Sequence, residues 1–236
     1  MSDQFPCDLD ATLLVNGIPI DVLFRARAAS FTTFKFTLTA KRAIDLLIGS
    51  LLLVVASPIL ISAGILITLT SKGGIFYSGP RCGLGGKPFP CFKLRSMYVN
   101  QNEILAANQL RSVGEYGTLL VFSSDPRITR VGRWLRKLSI DEFPQLWNVV
   151  RGEMSLIGPR ALAVSMLEEF PKAKAARSVM RPGITGLWQI RARKKNATVA
   201  DMIADDVEYI QRFNLLLDLK IAWLTLPKIV EPNVIE

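Results

Sequence analysis

A predominantly apolar run of 25 residues without a formal charge extends from Leu46 to Thr70. A straight helix of that length rises roughly 37 Å, more than the ~30 Å hydrocarbon core of a bilayer. Ser57-Pro58 lies near its middle. Pro58 has no N–H to give and its ring crowds the carbonyl of Val54, which predicts a kink or break there. Lys41-Arg42 precede the run and Lys72 follows it, and positive residues favour the cytoplasmic side. A spanning helix fits the length. A helix–break–helix hairpin that enters and leaves by one face fits the proline and both charged ends as well, and is the expectation adopted. The run starts too far into the chain, is too long and lacks the cleavage site for a signal peptide.

The remaining patterns are weaker. Residues 11–20 alternate loosely between apolar and polar around Asn16-Gly17, which signals a small β-hairpin or a loose extension. Glycines from Gly79 to Gly86 mark turns. Without a Walker or Rossmann fingerprint they read as tight turns in a short β-hairpin rather than a phosphate cradle. Residues 102–124 read as a helix and a loop, and Asp125-Pro126 opens a basic helix to about Lys137. An acidic amphipathic helix follows at 199–213. From Leu215 the chain turns apolar again, and Trp223 with flanking lysines suits a helix lying in the membrane interface, a buried core helix being the equal competitor. Asp218 is placed to pair with Lys41 or Arg42 at the base of the membrane segment.

Composition narrows the chemistry. The chain has 236 residues, is 50% hydrophobic and carries a net charge of +9. That combination suits a protein touching both lipid and anions, whether nucleic acid, anionic lipid or phosphorylated small molecules. Three cysteines without metal spacing argue for a reducing, cytosol-facing setting. There is no histidine, which excludes Ser-His-Asp and Cys-His mechanisms and imidazole metal sites.

The sharpest local feature is Asp141-Glu142. Arg127, Arg130, Arg133 and Arg136 recur every third residue before it. On a solvated surface such a cluster is ordinary. Arginines beside a carboxylate would also keep it ionised and attract a phosphate, which makes the carboxylate a candidate nucleophile for phosphoryl transfer. Ser139 is placed to N-cap the next helix, with Glu142 completing a capping box. That would set Asp141 in a first helical turn, where backbone N–H groups favour anions.

Three further motifs surround the pair: Phe92-Lys93-Leu94-Arg95-Ser96-Met97 upstream, then Met154-Ser155-Leu156-Ile157-Gly158-Pro159-Arg160 and Arg181-Pro182-Gly183-Ile184-Thr185-Gly186-Leu187-Trp188-Gln189. Together they resemble the bacterial sugar transferase family, the small monotopic phosphoglycosyl transferases, from about Lys41 to about Val230. The resemblance implies an α+β, mostly helical fold. A re-entrant membrane hairpin over 41–72 turns at Ser57 and Pro58, and a compact catalytic domain over 73–236 carries interfacial amphipathic helices. Residues 1–40 are an extension outside the resemblance.

The resemblance also implies the reaction. A sugar 1-phosphate passes from a UDP-sugar to undecaprenyl phosphate at the cytoplasmic face of the bacterial inner membrane, releasing UMP. This is the first membrane step of polysaccharide or glycoconjugate synthesis. Asp141 is the implied nucleophile, Glu142 the implied Mg²⁺ ligand, and Arg95, Arg136, Arg160 and Arg181 the implied phosphate contacts. Membrane lipid is a partner and nucleic acid is not; a homo-oligomer is compatible. Family members often carry Pro-Arg-Pro where this chain has Pro159-Arg160-Ala161, which puts the rigidity of that loop in question. Competing readings are a basic membrane-anchored binding module and a metal-dependent hydrolase of the same nucleotide sugar.

Overall fold

The structure, a computed structural model, describes residues 14–15, 18–19, 31–101, 103–104, 125–168, 170–191 and 199–230. The fold is mostly helical with small two-stranded sheets. The uncharged run lies in one helix, α1 (Phe31–Thr70), which starts about ten residues before the boundary expected at 41. Helical structure continues across Ser57-Pro58, so the break expected there is a proline inside a single helical element. The Val54 carbonyl that Pro58 leaves without a donor receives the Ser57 hydroxyl at 2.7 Å, one of the ways such helices re-satisfy their backbone. Its stretch Phe36–Thr70 is the one helix among the described residues long and apolar enough to cross a membrane.

One stripe of α1 faces protein from Lys41 to Ile67: Lys41, Asp45, Gly49, Ala56, Ala63 and Ile67 are buried at helical spacing, while Leu47, Leu51, Val54, Val55, Ile61 and Leu69 are exposed. At the N-terminal end, Lys41 pairs with Asp218 at 2.6 Å, as the sequence suggests. Arg42 donates to the carbonyls of Val149 and Val150 at 2.7 and 3.1 Å. Asp45 accepts the Leu156 N–H at 3.0 Å. At the other end, Leu60, Ala63 and Ile67 pack with Ile75, Leu94, Val131, Leu135 and Ile140. Both ends of the apolar helix therefore rest on the same body.

That body is assembled from short elements. Strands β1 (Leu14–Val15) and β2 (Ile18–Pro19) form the small antiparallel hairpin expected around Asn16-Gly17. Strands β3 (Phe76–Cys82) and β4 (Pro88–Leu94) pair from Phe76↔Leu94 to Cys82↔Pro88, so the glycine-rich stretch is the turn of a β-hairpin. Helix α2 (Arg130–Lys137) begins later than Asp125-Pro126, at an N-cap made by Thr129, whose hydroxyl accepts the Gly132 N–H at 2.8 Å. A 3₁₀ turn (Ile140–Glu142) and α3 (Gln145–Arg151) follow. Strand β5 (Ser155–Ile157) runs parallel to β6 (Gly183–Thr185), with α4 (Val164–Glu168) and α5 (Pro171–Arg177) between them. Helices α6 (Leu187–Ile190), α7 (Val199–Arg212) and α8 (Leu215–Val230) complete the order.

The core sits between α4, α5, α6 and α7, around Leu167, Trp188, Met202, Ile203 and Val207, and continues through Ile157, Met180, Tyr209 and Ile210 to Ile221 on α8. Helix α8 combines the two readings the sequence left open: Asp218 and Ile221 are buried, whereas Leu216, Leu219 and Trp223 are about three-quarters exposed, at 78%, 68% and 73%. Apart from residues 103–104, the helix and loop expected over 102–124 lie outside the described residues.

Candidate active site

The acidic pair stands where α2, β4 and α3 converge. Gly132 lets α2 touch the chain leaving β4: a Cβ there would come within 2.0 Å of the Ser96 carbonyl oxygen. Across this close approach Arg136 Nε donates to Ser96 Oγ at 2.8 Å. The other side is held by Asn148 of α3, which is fully buried and acts as a substitute strand for β4. Its Oδ1 accepts the Phe92 N–H at 3.0 Å and its Nδ2 donates to the Pro90 carbonyl at 2.8 Å. With β4 pinned on both sides, Lys93 Nζ meets Glu142 Oε1 at 2.5 Å.

Asp141 and Glu142 lie on the 3₁₀ turn and not in the first turn of an α-helix. The expected capping box does not form, because Ser139 adopts a left-handed backbone (φ 55°, ψ 18°) and its side chain caps nothing. Asp141 is 8% exposed. Burial pushes its carboxyl above the ordinary carboxylate range; Lys93 pulls it down, Glu142 pushes it up and Arg136 pulls it down. The balance is the reverse of the expectation that arginines hold it low. Among the described residues no side chain hydrogen-bonds to it. Such a carboxylate is poorly solvated but adjacent to cations, and so is more nucleophilic than a fully paired one.

Of the four arginines at every third position, only Arg136 acts on Asp141. Arg127 is bound by Asp125, with Nη2 to Oδ2 at 2.6 Å, and Arg130 and Arg133 are exposed. The remaining arginines divide. For Arg160 the link to the pair is indirect: its charge, with those of Lys93, Arg81 and Glu142, falls on the buried Cys91 thiol. Arg95 is committed elsewhere: its guanidinium donates to the carbonyls of Ser71, Lys72, Gly73 and Gly74, at 2.5 to 3.2 Å, and clamps the end of α1. Arg181 Nε donates to the Gly152 carbonyl at 2.8 Å, just past the C-terminus of the seven-residue α3. That is the opposite end of α3 from the pair, about 10 Å away. There it stands beside Arg42, where cations favour the carbonyl end of the helix. Ser57 and Pro58 lie on α1 and outside this cluster.

The two glycine-proline motifs form one unit. Gly158 N–H donates to the Thr185 carbonyl at 2.9 Å and Gly183 N–H to the Pro159 carbonyl at 2.8 Å. A Cβ on Gly183 would meet the Gly158 nitrogen at 2.1 Å, so the backbones touch where only glycine fits.

Two residues were missed at the site, Lys93 and Asn148. Lys93 sits inside a quoted motif, but a lysine in a strand reads as solvated. Asn148, a poor helix former between Trp147 and Val149, is the signal that sequence offered. For a divalent metal, the described residues offer no group of three or more His, Cys, Asp or Glu. The adjacent Asp141 and Glu142 carboxylates fit a Mg²⁺ that takes one or two protein oxygens and completes its shell with phosphate and water.

The chain was compared with known proteins. A family profile described as bacterial sugar transferase matches residues 36–232. An exopolysaccharide production protein ExoY from Sinorhizobium fredii is 39% identical over 193 residues, covering 80% of this chain and 85% of that one. A UDP-glucose:undecaprenyl-phosphate glucose-1-phosphate transferase from Caulobacter vibrioides is 39% identical over 198 residues, with 80% and 69% covered. An undecaprenyl-phosphate galactose phosphotransferase from Salmonella typhimurium is 37% identical over 188 residues, and the match covers 39% of its length. With the profile spanning most of the sequence and the acidic pair inside it, the chain belongs to the bacterial sugar transferase family and is a transferase.

Proposed function

We propose that the chain transfers a sugar 1-phosphate from a UDP-sugar to undecaprenyl phosphate at the cytoplasmic face of the bacterial inner membrane, as the first membrane step of exopolysaccharide or related glycoconjugate synthesis. The observation that carries this reading is Asp141: buried, without a side-chain hydrogen bond among the described residues, and within electrostatic reach of Lys93 and Arg136. The relatives' activities, UDP-glucose:undecaprenyl-phosphate glucose-1-phosphate transferase and undecaprenyl-phosphate galactose phosphotransferase, suggest the nucleotide and lipid partners.

In this mechanism an Asp141 oxygen attacks the phosphorus that bears the sugar. The bond from that phosphorus to the UMP oxygen breaks, UMP leaves, and an acyl phosphate on Asp141 carries the sugar phosphate. An oxygen of undecaprenyl phosphate then attacks the same phosphorus, the Asp141–phosphorus bond breaks, and the carboxylate is restored. Lys93, Arg136 and Arg160 bind the phosphate oxygens, where cations stabilise charge that develops during transfer. Glu142, with Asp141 beside it, would hold Mg²⁺, which supplies charge neutralisation of the diphosphate. Arg95 and Arg181 hold the frame: one closes the end of α1, the other the end of α3.

Helix α1 is read as re-entrant. A straight helix over Phe36–Thr70 would be about 52 Å long and would carry one end away from the domain. Packing of both the Lys41–Gly49 and Leu60–Ile67 stretches on one body supports entry and exit by a single face. The exposed apolar face of α8 adds a second surface suited to the interface.

The test is UMP release by purified protein in detergent with Mg²⁺, undecaprenyl phosphate and UDP-glucose or UDP-galactose, followed by trapping of radiolabelled sugar phosphate on the protein. Release that requires the lipid, and a label on the protein that disappears in Asp141→Asn, supports the mechanism. Sustained release without lipid acceptor overturns it in favour of hydrolysis.

A further inference from the structure

The Arg160 turn is fastened from behind by a pair that lies outside the motifs. Asp206 on α7 is fully buried. Its Oδ1 accepts the Arg160 backbone N–H at 3.0 Å. Its Oδ2 accepts Nε and Nη2 of Arg177, from the end of α5, at 3.0 and 2.6 Å. Arg177 Nη2 also donates to the Arg160 carbonyl. The N–H and the C=O of Arg160 thus end on the same buried ion pair. On the preceding side, Pro159 is held through its carbonyl by the Gly183 N–H.

The side chain of Arg160 is different. Among the described residues it has neither a hydrogen bond nor an ion pair, although its charge reaches the Cys91 thiol next to Lys93 and Glu142. The backbone is committed and the guanidinium is left available, which is the arrangement of a pre-organised contact. A buried ion pair is a weak source of net stability because desolvation offsets its attraction; fixing one residue's geometry is a use it serves well. Arg177 is the hydrogen-bonded partner of Asp206, and the Arg160 guanidinium reaches that carboxylate through its charge alone, so the Arg160 side chain keeps its donors for an anion.

We propose that Arg177 and Asp206 are positioning residues that hold the Arg160 guanidinium toward the diphosphate of the nucleotide sugar. This rests on reading Arg160 as a phosphate contact. It also gives the loop a source of rigidity where residue 161 is alanine.

The test is a double-mutant cycle on the full chain in detergent, with saturating undecaprenyl phosphate and whichever of UDP-glucose and UDP-galactose supports UMP release. Arg177→Lys keeps the charge but loses the fork that bridges Asp206 and the Arg160 carbonyl. It is expected to raise KM for the nucleotide sugar about tenfold with kcat within about twofold. Arg160→Ala alone should cost kcat/KM at least about tenfold, and in the Arg177→Lys background less than about threefold, because the two act as one unit. Asp206→Asn, read against Arg160→Ala in the same way, is the second cycle, and a thermal melt of each variant reports folding. Losses that simply multiply in the Arg177→Lys cycle overturn the clamp and leave Arg160 as a contact. An Arg160→Ala variant with unchanged kinetics overturns the reading beneath it, and the clamp's purpose with it.

Discussion

Asp141 and Asp218 are both buried aspartates beside a lysine, and burial pushes both carboxyls above the ordinary range. What separates them is contact. Asp218 takes Lys41 Nζ at 2.6 Å and the Tyr209 hydroxyl at 2.7 Å, so both its oxygens are occupied. Asp141 feels Lys93 and Arg136 at a distance, while Lys93 is in direct contact with the neighbouring Glu142 instead. A fully satisfied buried carboxylate locks two elements together; one with cations near but not bonded is reactive and pays for it in stability. Burial and local charge are shared, so neither distinguishes structure from chemistry here. Hydrogen bonding does.

The same substitution at the two positions is therefore expected to act in opposite ways. Asp141→Asn should lower turnover more than about a thousandfold, as loss of a nucleophile does, measured as lipid-dependent UMP release. Asp218→Asn should leave a buried Lys41 without its counter-charge and destabilise the protein by about 3–5 kcal/mol, read by thermal or denaturant unfolding in detergent. Replacing both partners with apolar residues, Lys41→Met with Asp218→Leu, should recover most of that loss. A large activity loss with unchanged stability in Asp218→Asn would erase the contrast.

The cations carry the comparison further. Arg95 and Lys93 are two residues apart, yet one binds carbonyls of the segment just after α1 and the other faces the acidic pair. Arg95→Lys is expected to cost about 1–2 kcal/mol of stability through lost carbonyl bonds, with KM for the nucleotide sugar changed by less than about twofold.

Smaller effects follow from linkage. A carboxyl whose folded pKa is raised adds stability that is complete below its unfolded pKa and lost as pH rises through the folded value. At neutral pH an ionised Asp141 is thus a cost, and Asp141→Asn should stabilise the fold by about 1 kcal/mol while abolishing turnover. The acid limb of kcat/KM, set by ionisation of Asp141, should lie above the ordinary aspartate range. Lys93→Met should move it higher still, and Arg136→Met should move it in the same direction by less, following the order of their influence. A limb that stays in place in both variants would separate these cations from Asp141.

How much of this was legible in sequence depended on whether a residue's partner could be named. Asp141-Glu142 stood out by charge pattern and motif, and the Lys41–Asp218 pair followed from two charges flanking apolar segments. Arg95 reads from its motif as a phosphate contact, and the structure gives its guanidinium to carbonyls; a guanidinium satisfies carbonyls as well as it satisfies phosphate, and composition cannot tell which acceptor is nearer. The capping box at Ser139 obeyed local rules that the left-handed backbone there overrode. Pro58 predicted disruption, but a hydroxyl one residue earlier restored what the ring removed. Lys93, Asn148 and the Arg177–Asp206 clamp depend on contacts between distant segments, for which no periodicity exists to be read.

The Lys41–Asp218 bond also sets an order of assembly. Its partners are 177 residues apart in the chain, so at ~5–20 residues per second a ribosome adds α8 roughly 9 to 35 s after the base of α1. On the membrane reading proposed above, α1 meets lipid long before it meets the carboxylate that pairs with its lysine. Until α8 arrives, that lysine lacks its carboxylate and stays hydrated, since an unpaired charge is costly to bury. The ion pair then closes over it, and burial of the charge marks completion of the fold.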